Sequence, residues 1–87
     1  MGSWPVRNGP DLGAALAELR ADAGVTQADM AGRVGLSVDY LAKIEQGRTT
    51  PLMDRAIAAL RRAGATITVT WPDPPPGGAD APDVIGR

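Results

Sequence analysis

Four glycines, Gly24, Gly35, Gly47 and Gly64, punctuate the 87-residue sequence and constrain it more than any other feature. Glycine takes the left-handed backbone that closes a helix without a Cβ penalty, so it is favoured just past the last turn. Each of the four follows a helix-forming stretch, and each stretch has a start signal. Asp11 can cap the first and Ser37 the third. Thr26 can cap the second, with Asp29 three residues on as a capping-box partner. Thr50 can cap the fourth, and Pro51 follows at the first helical position, where a missing N–H does no harm. The pattern predicts four helices.

Apolar residues recur at helical spacing inside each stretch. Leu12, Ala15, Leu16 and Leu19 share a face of the first, and Met30, Ala31 and Val34 a face of the second. Leu41 and Ile44 mark the third, with Leu36 from the preceding turn; Leu52, Met53, Ala56, Ile57 and Leu60 mark the fourth. These stripes are expected to meet in one small core. Past Gly64 the period changes. Ala65 to Trp71 alternates small or apolar with polar residues and is rich in β-branched types, which predicts a strand. An isolated strand is not stable. Trp4-Pro5-Val6-Arg7 is the one short candidate partner in the chain. Otherwise the strand pairs with its counterpart in a second copy, or lies as an extended tail. The expectation is a two-fold dimer with Ile67, Val69 and Trp71 at the contact. From Pro72 the composition cannot build a core and predicts a disordered tail. The expected organisation is an N-terminal arm (1–10), a helical domain (11–64), a dimerisation strand (65–71) and a Pro/Gly-rich tail (72–87).

Composition narrows the chemistry. Cysteine and histidine are both absent, which removes disulfides, thiolate metal sites, the commonest general base and the commonest metal ligand. No paired-carboxylate pocket is legible, so neither an enzyme nor a metal or other cofactor is expected. No apolar run approaches the roughly 20 residues that cross a membrane. The sequence does not open on a secretory pattern, so a cytoplasmic location is the expectation. The net charge is −1, and between Arg7 and Gly64 eight basic side chains stand against seven acidic ones. Any surface for a polyanion must therefore be local, and a single copy would bind weakly.

Only Gly35-Leu36 separates the second predicted helix from the Ser37 cap of the third. Two short helices joined by a tight glycine turn, here Thr26 to Gly47, are the layout of a helix-turn-helix, whose second helix enters the major groove of DNA. The residues add a resemblance. Gly24-Val25-Thr26-Gln27-Ala28-Asp29-Met30-Ala31, then Val34-Gly35-Leu36-Ser37, then Tyr40-Leu41-Ala42-Lys43-Ile44-Glu45-Gln46-Gly47-Arg48, resembles the lambda-repressor-like XRE family. The likeness runs from Leu12 to about Leu60, more than half the chain. It implies a mostly α domain of four to five helices that binds double-stranded DNA, with one C-terminal β-strand pairing across a dimer.

The resemblance assigns roles residue by residue. Gln27 falls on the family's phosphate-contacting glutamine, and an amide beside the free N–H groups of a helix start suits a phosphate oxygen. Its alternative is an idle, solvated helix-start residue. Ser37, Val38, Asp39 and Tyr40, with Lys43 one turn on, fall on the recognition face. Lys43 can reach a guanine or a phosphate, and Val38 a thymine methyl. Tyr40 can bond a phosphate or cover the core. Asp39 fits less well, because a carboxylate in the groove accepts only from a cytosine amino group and repels phosphates. Its alternative is to cap its own helix. Arg48, Thr49 and Thr50 fall in a loop that touches the DNA backbone in the family; Arg33 either does the same or is solvated. Glu45 and Arg20 fall on a structural pair, so an Arg20–Glu45 ion pair is implied, partly buried and bidentate. Neither residue is then a DNA contact.

Outside the motif, Val6-Arg7 ahead of Asp11-Leu12-Gly13, and the strand after Arg61-Arg62-Ala63-Gly64-Ala65, resemble the HipB-type antitoxin branch. That likeness implies a homodimer that represses its own operon and binds a cognate toxin. The expected function is a sequence-specific, nucleoid-associated transcriptional repressor. Asp39 and the near-neutral charge favour a competitor, a protein-interaction module of the same fold with weak or no DNA binding.

Overall fold

The computed structural model of the protein describes residues 1–73. The expectation for residues 74–87 lies outside the described residues. The elements run β1 (Gly2–Val6), α1 (Gly9–Ala23), α2 (Gln27–Val34), α3 (Val38–Glu45), α4 (Pro51–Arg62) and β2 (Ile67–Trp71). The described chain is mostly helical, with four helices and one two-stranded antiparallel sheet. The four punctuating glycines all adopt left-handed backbones, with φ between 71° and 94°, and no other described residue does.

Local hydrogen bonds set the helix starts. Thr26 Oγ1 accepts from the Asp29 N–H at 3.0 Å while Asp29 Oδ2 accepts from the Thr26 N–H at 3.4 Å, closing a capping box. Ser37 and Thr50 accept from the N–H groups of Tyr40 and Met53. The first helix departs from expectation. It begins at Gly9, and its cap is Asn8, whose Oδ1 accepts from the Asp11 N–H at 2.9 Å. Asp11 sits within the first turn and accepts in return from the Arg7 N–H at 2.8 Å. Gly9-Pro10 looks like a break in sequence, yet proline fits the first turn of a helix, where no N–H is needed.

The core forms where α1 crosses α2 and α3. Met30, Ala31 and Leu41 are buried there, Leu41 completely, with Leu16, Leu19, Val25 and Val34 packed around them. Gly13 lets the backbones meet, since a Cβ there would collide with the Ile44 carbonyl. The expected core stripe of α4 is mostly not core. Ile57 is buried, but Leu52, Met53 and Leu60 are 79 %, 45 % and 51 % exposed.

The sheet corrects the expected pairing of the C-terminal strand. β2 finds its partner in the same chain, with Gly2 opposite Trp71, Trp4 opposite Val69 and Val6 opposite Ile67. The stretch expected to be an arm is thus a strand followed by the start of α1. The reason is a shared alternation. Trp4, Val6, Ile67, Val69 and Trp71 are wholly or partly buried, while Ser3, Pro5, Thr68 and Thr70 are exposed. One face of the pair covers α1, and burying it outweighs a loop-closure cost that grows only slowly with chain length. Gly2 leaves room for the Trp71 indole, which a Cβ would strike, and Trp71 Nε1–H donates to Asp22 of α1 at 2.8 Å.

Candidate functional site

Gly35 turns the chain between α2 and α3 with φ 74°, and the Leu36 N–H closes the turn onto the Ala31 carbonyl at 2.9 Å. This short link fixes α3 against α2 through Leu41, which is buried. The opposite side of α3 is open: Val38, Asp39, Tyr40 and Lys43 are all exposed. Ser37 takes the capping position, so Asp39 does not cap α3. It lies in the first turn, where a carboxylate favours the positive end of the helix dipole. Tyr40 is neither core nor isolated. It borders a shallow cleft of about 200 Å³ shared with Leu12, Ile44, Arg48 and Met53.

At the start of α2, Gln27 is half-buried and Thr26 caps the Asp29 N–H. The backbone N–H groups of Gln27 and Ala28 are left without a helical acceptor, as at any helix start. Arg48 is exposed beyond the end of α3. Thr49 is less available than its position suggests. Its hydroxyl donates to Asp54 Oδ1 at 2.7 Å, so that hydrogen is already in use. Arg33 is exposed near the end of α2. Ile67, Val69 and Trp71 lie apart from this surface, half-buried on the face of the sheet that covers α1. Through β2, a second chain would meet mainly backbone.

Behind α2 and α3 sits the ion pair. Arg20 Nε donates to Glu45 Oε2 at 2.9 Å and its second terminal nitrogen to Oε1 at 3.0 Å. The remaining terminal nitrogen donates to the Val25 carbonyl at 3.1 Å. The Glu45 side chain is 7 % exposed and that of Arg20 23 %. A third donor, which no spacing in the sequence announces, is Gln27 Nε2, 3.1 Å from Glu45 Oε1. Hydrogen bonding from Arg20 draws the Glu45 carboxyl below the ordinary carboxylate range; burial opposes this and the Gln27 bond adds to it. Hydrogen bonding to Glu45 likewise holds the Arg20 guanidinium more firmly protonated.

Among the described residues no group of three or more acidic side chains stands close enough to hold a metal ion, and no helix is long and apolar enough to cross a membrane. α3 offers an exposed face carrying Val38, Asp39 and Lys43, and the start of α2 offers backbone N–H groups without a helical acceptor.

Comparison with known proteins bears on the same segment. The sequence profile of a family described as helix-turn-helix domain matches residues 11–70. Over 52 residues the chain is 36 % identical to the HTH-type transcriptional regulator DdrOP3 of Deinococcus deserti, a match covering 60 % of this chain and 40 % of that protein. The chain thus spans well under two thirds of that relative's length. No solved structure matches it.

Proposed function

The chain belongs to the helix-turn-helix domain family, and from that premise we propose that it is a sequence-specific DNA-binding transcriptional repressor that acts as a homodimer. The observation that carries the proposal is the division of α3 into two sides. Leu41 anchors one side in the core while Val38, Asp39 and Lys43 stand free on the other, and Gln27 ties the start of α2 to the end of α3 through Glu45. In such a unit the first helix holds the backbone and the second reads base edges. Gln27 and Arg48 would hold phosphates. Lys43 would reach a guanine, Val38 a thymine methyl, and Asp39 a cytosine amino group. The printed name of the Deinococcus relative, a transcriptional regulator, supports the regulatory half of the reading.

The near balance of charge favours a dimer, because one copy offers few phosphate contacts. Two copies would sit about 34 Å apart on successive turns of DNA. β2 is the better edge for joining them, since each of its residues keeps an N–H, whereas Pro5 gives β1 none. In its narrower form the proposal makes the protein the antitoxin of its own operon, in the cytoplasm at the nucleoid, with a toxin as second partner. The order of elements, helix-turn-helix then strand, supports that form.

Electrophoretic shifts test it, on the chain's own promoter and on duplexes selected from a random pool. The expected result is a specific shift that weakens steeply with salt and is lost in Lys43→Ala while the helical circular dichroism persists. Absence of any salt-sensitive shift overturns the proposal. It would favour the reading that the exposed Asp39 supports, a protein-interaction module of the same fold.

A further inference from the structure

The hydrogen bond from Gln27 to Glu45 is not needed for the ion pair, which Arg20 completes with two donors. It joins a buried carboxylate to the first residue of α2, the residue nearest the unpaired N–H groups of that helix. The chemistry of the bond is directional. An ionised carboxylate only accepts, so it fixes which end of the Gln27 amide faces it: the nitrogen, never the oxygen. Arg20 grips both oxygens of the carboxylate, and its bond to the Val25 carbonyl ties the same clamp to the backbone two residues before Gln27. The amide therefore keeps one N–H for Glu45 and one for a further acceptor, beside the free backbone N–H groups of Gln27 and Ala28.

We infer that Glu45 is a positioning residue of the DNA interface: held by Arg20, it orients the Gln27 amide in advance so that its second N–H is ready for a DNA phosphate. The inference rests on the DNA-binding function proposed above and deepens it. It gives the ion pair a part in affinity as well as in folding. A long side chain that is already ordered loses less freedom on binding, an effect of about two- to tenfold in affinity per side chain.

A double-mutant cycle tests it, using the full chain and the duplex it selects from a random pool. Gln27→Ala and Glu45→Gln are each expected to weaken binding by about two- to tenfold. In Glu45→Gln the neutral amide can present either end, so the orientation is no longer imposed. The double variant should bind no more weakly than the weaker single variant, because the contribution of Glu45 passes through Gln27. Losses that simply multiply overturn the inference. A second measurement needs no variant. In the free protein the side-chain amide of Gln27 should show a nitrogen-relaxation order parameter close to that of rigid backbone, about 0.85, while exposed Gln46 stays below about 0.6. Equal mobility of the two overturns the inference even if Glu45→Gln fails to fold. Failure of the DNA-binding function looks different, since the unmodified chain would then select no duplex at all.

Discussion

α3 and α4 have the same local grammar and opposite fates. Each starts at a hydroxyl cap, Ser37 or Thr50, and each carries an apolar stripe. α3 sinks its stripe into the core through Leu41, which is fully buried. α4 is the longer helix, twelve residues against eight, yet it buries only Ile57 and leaves Leu52, Met53 and Leu60 open. A periodic stripe shows which face of a helix is apolar, not what will cover it. α3 is covered because the Gly35 turn and the bare backbone at Gly13 bring α2 and α1 onto it. α4 makes its contacts mainly with α1, and the sheet closes against α1 as well.

The sharpest way to break this contrast is to empty both anchors. Leu41→Ala should cost about 3 kcal/mol, since it leaves a cavity among Met30, Ala31 and their neighbours. Ile57→Ala should cost less, about 2 kcal/mol, because Leu52, Met53 and Leu60 around it on α4 are exposed and free to close over the space it leaves. Urea denaturation at equal protein concentration compares them. Equal losses would mean that α4 is anchored as firmly as α3.

The ion pair comes next, because it ties the end of α1 to the end of α3. Arg20→Ala should cost about 2 kcal/mol, the scale of charged hydrogen bonds lost from a largely buried carboxylate. The pair also makes stability depend on pH. The folded-state pKa of Glu45 lies below its ordinary value of 4.5. Its contribution is therefore complete above that ordinary value and is lost as pH falls through the lowered one. Urea midpoints measured from pH 7 to pH 3 should fall more for the unmodified chain than for Glu45→Gln. Parallel curves would show that Glu45 is not held in its charged form.

Much of this was legible in the sequence, and the failures have physical causes. The four glycines, three of the caps and the change of period after Gly64 are local signals, and the helices and β2 follow from them. β1 is not local. Gly2, Ser3 and Pro5 are poor strand formers, and only the register with β2 and the cover over α1 make them a strand. The first cap is Asn8 rather than Asp11, because the helix opens at Gly9-Pro10, ahead of the apolar stripe that marks it in the sequence. The exposed face of α3 could be placed from the turn alone. The bond from Gln27 to Glu45 could not, because it depends on how α2 sits over the end of α3.

The β1–β2 pair offers a gentler comparison with the core. Trp71→Phe keeps the ring over Gly2 but removes the N–H that reaches Asp22. That hydrogen bond is exposed, so the loss should be about 0.5–1 kcal/mol. Asp22→Ala should cost the same, and the double variant should cost no more than either alone, since a single bond is removed in each.

The smallest effect is the most informative about α4. Leu52 is so open that Leu52→Ser should change the stability of the isolated chain by no more than about 0.5 kcal/mol, and Leu60→Ser by little more. The proposal joins two copies through the β2 edge; if the second copy also covers the exposed stripe of α4, the consequence appears only where copies meet. The melting temperature of the unmodified protein should then rise with concentration, as it does for any folded state stabilised by association. In Leu52→Ser and Leu60→Ser that rise should flatten while the dilute-limit value stays in place. A melting temperature independent of concentration in the unmodified protein, with a monomer mass by light scattering at micromolar levels, would remove the dimer from the proposal. The α3 surface would then have to bind its DNA one copy at a time.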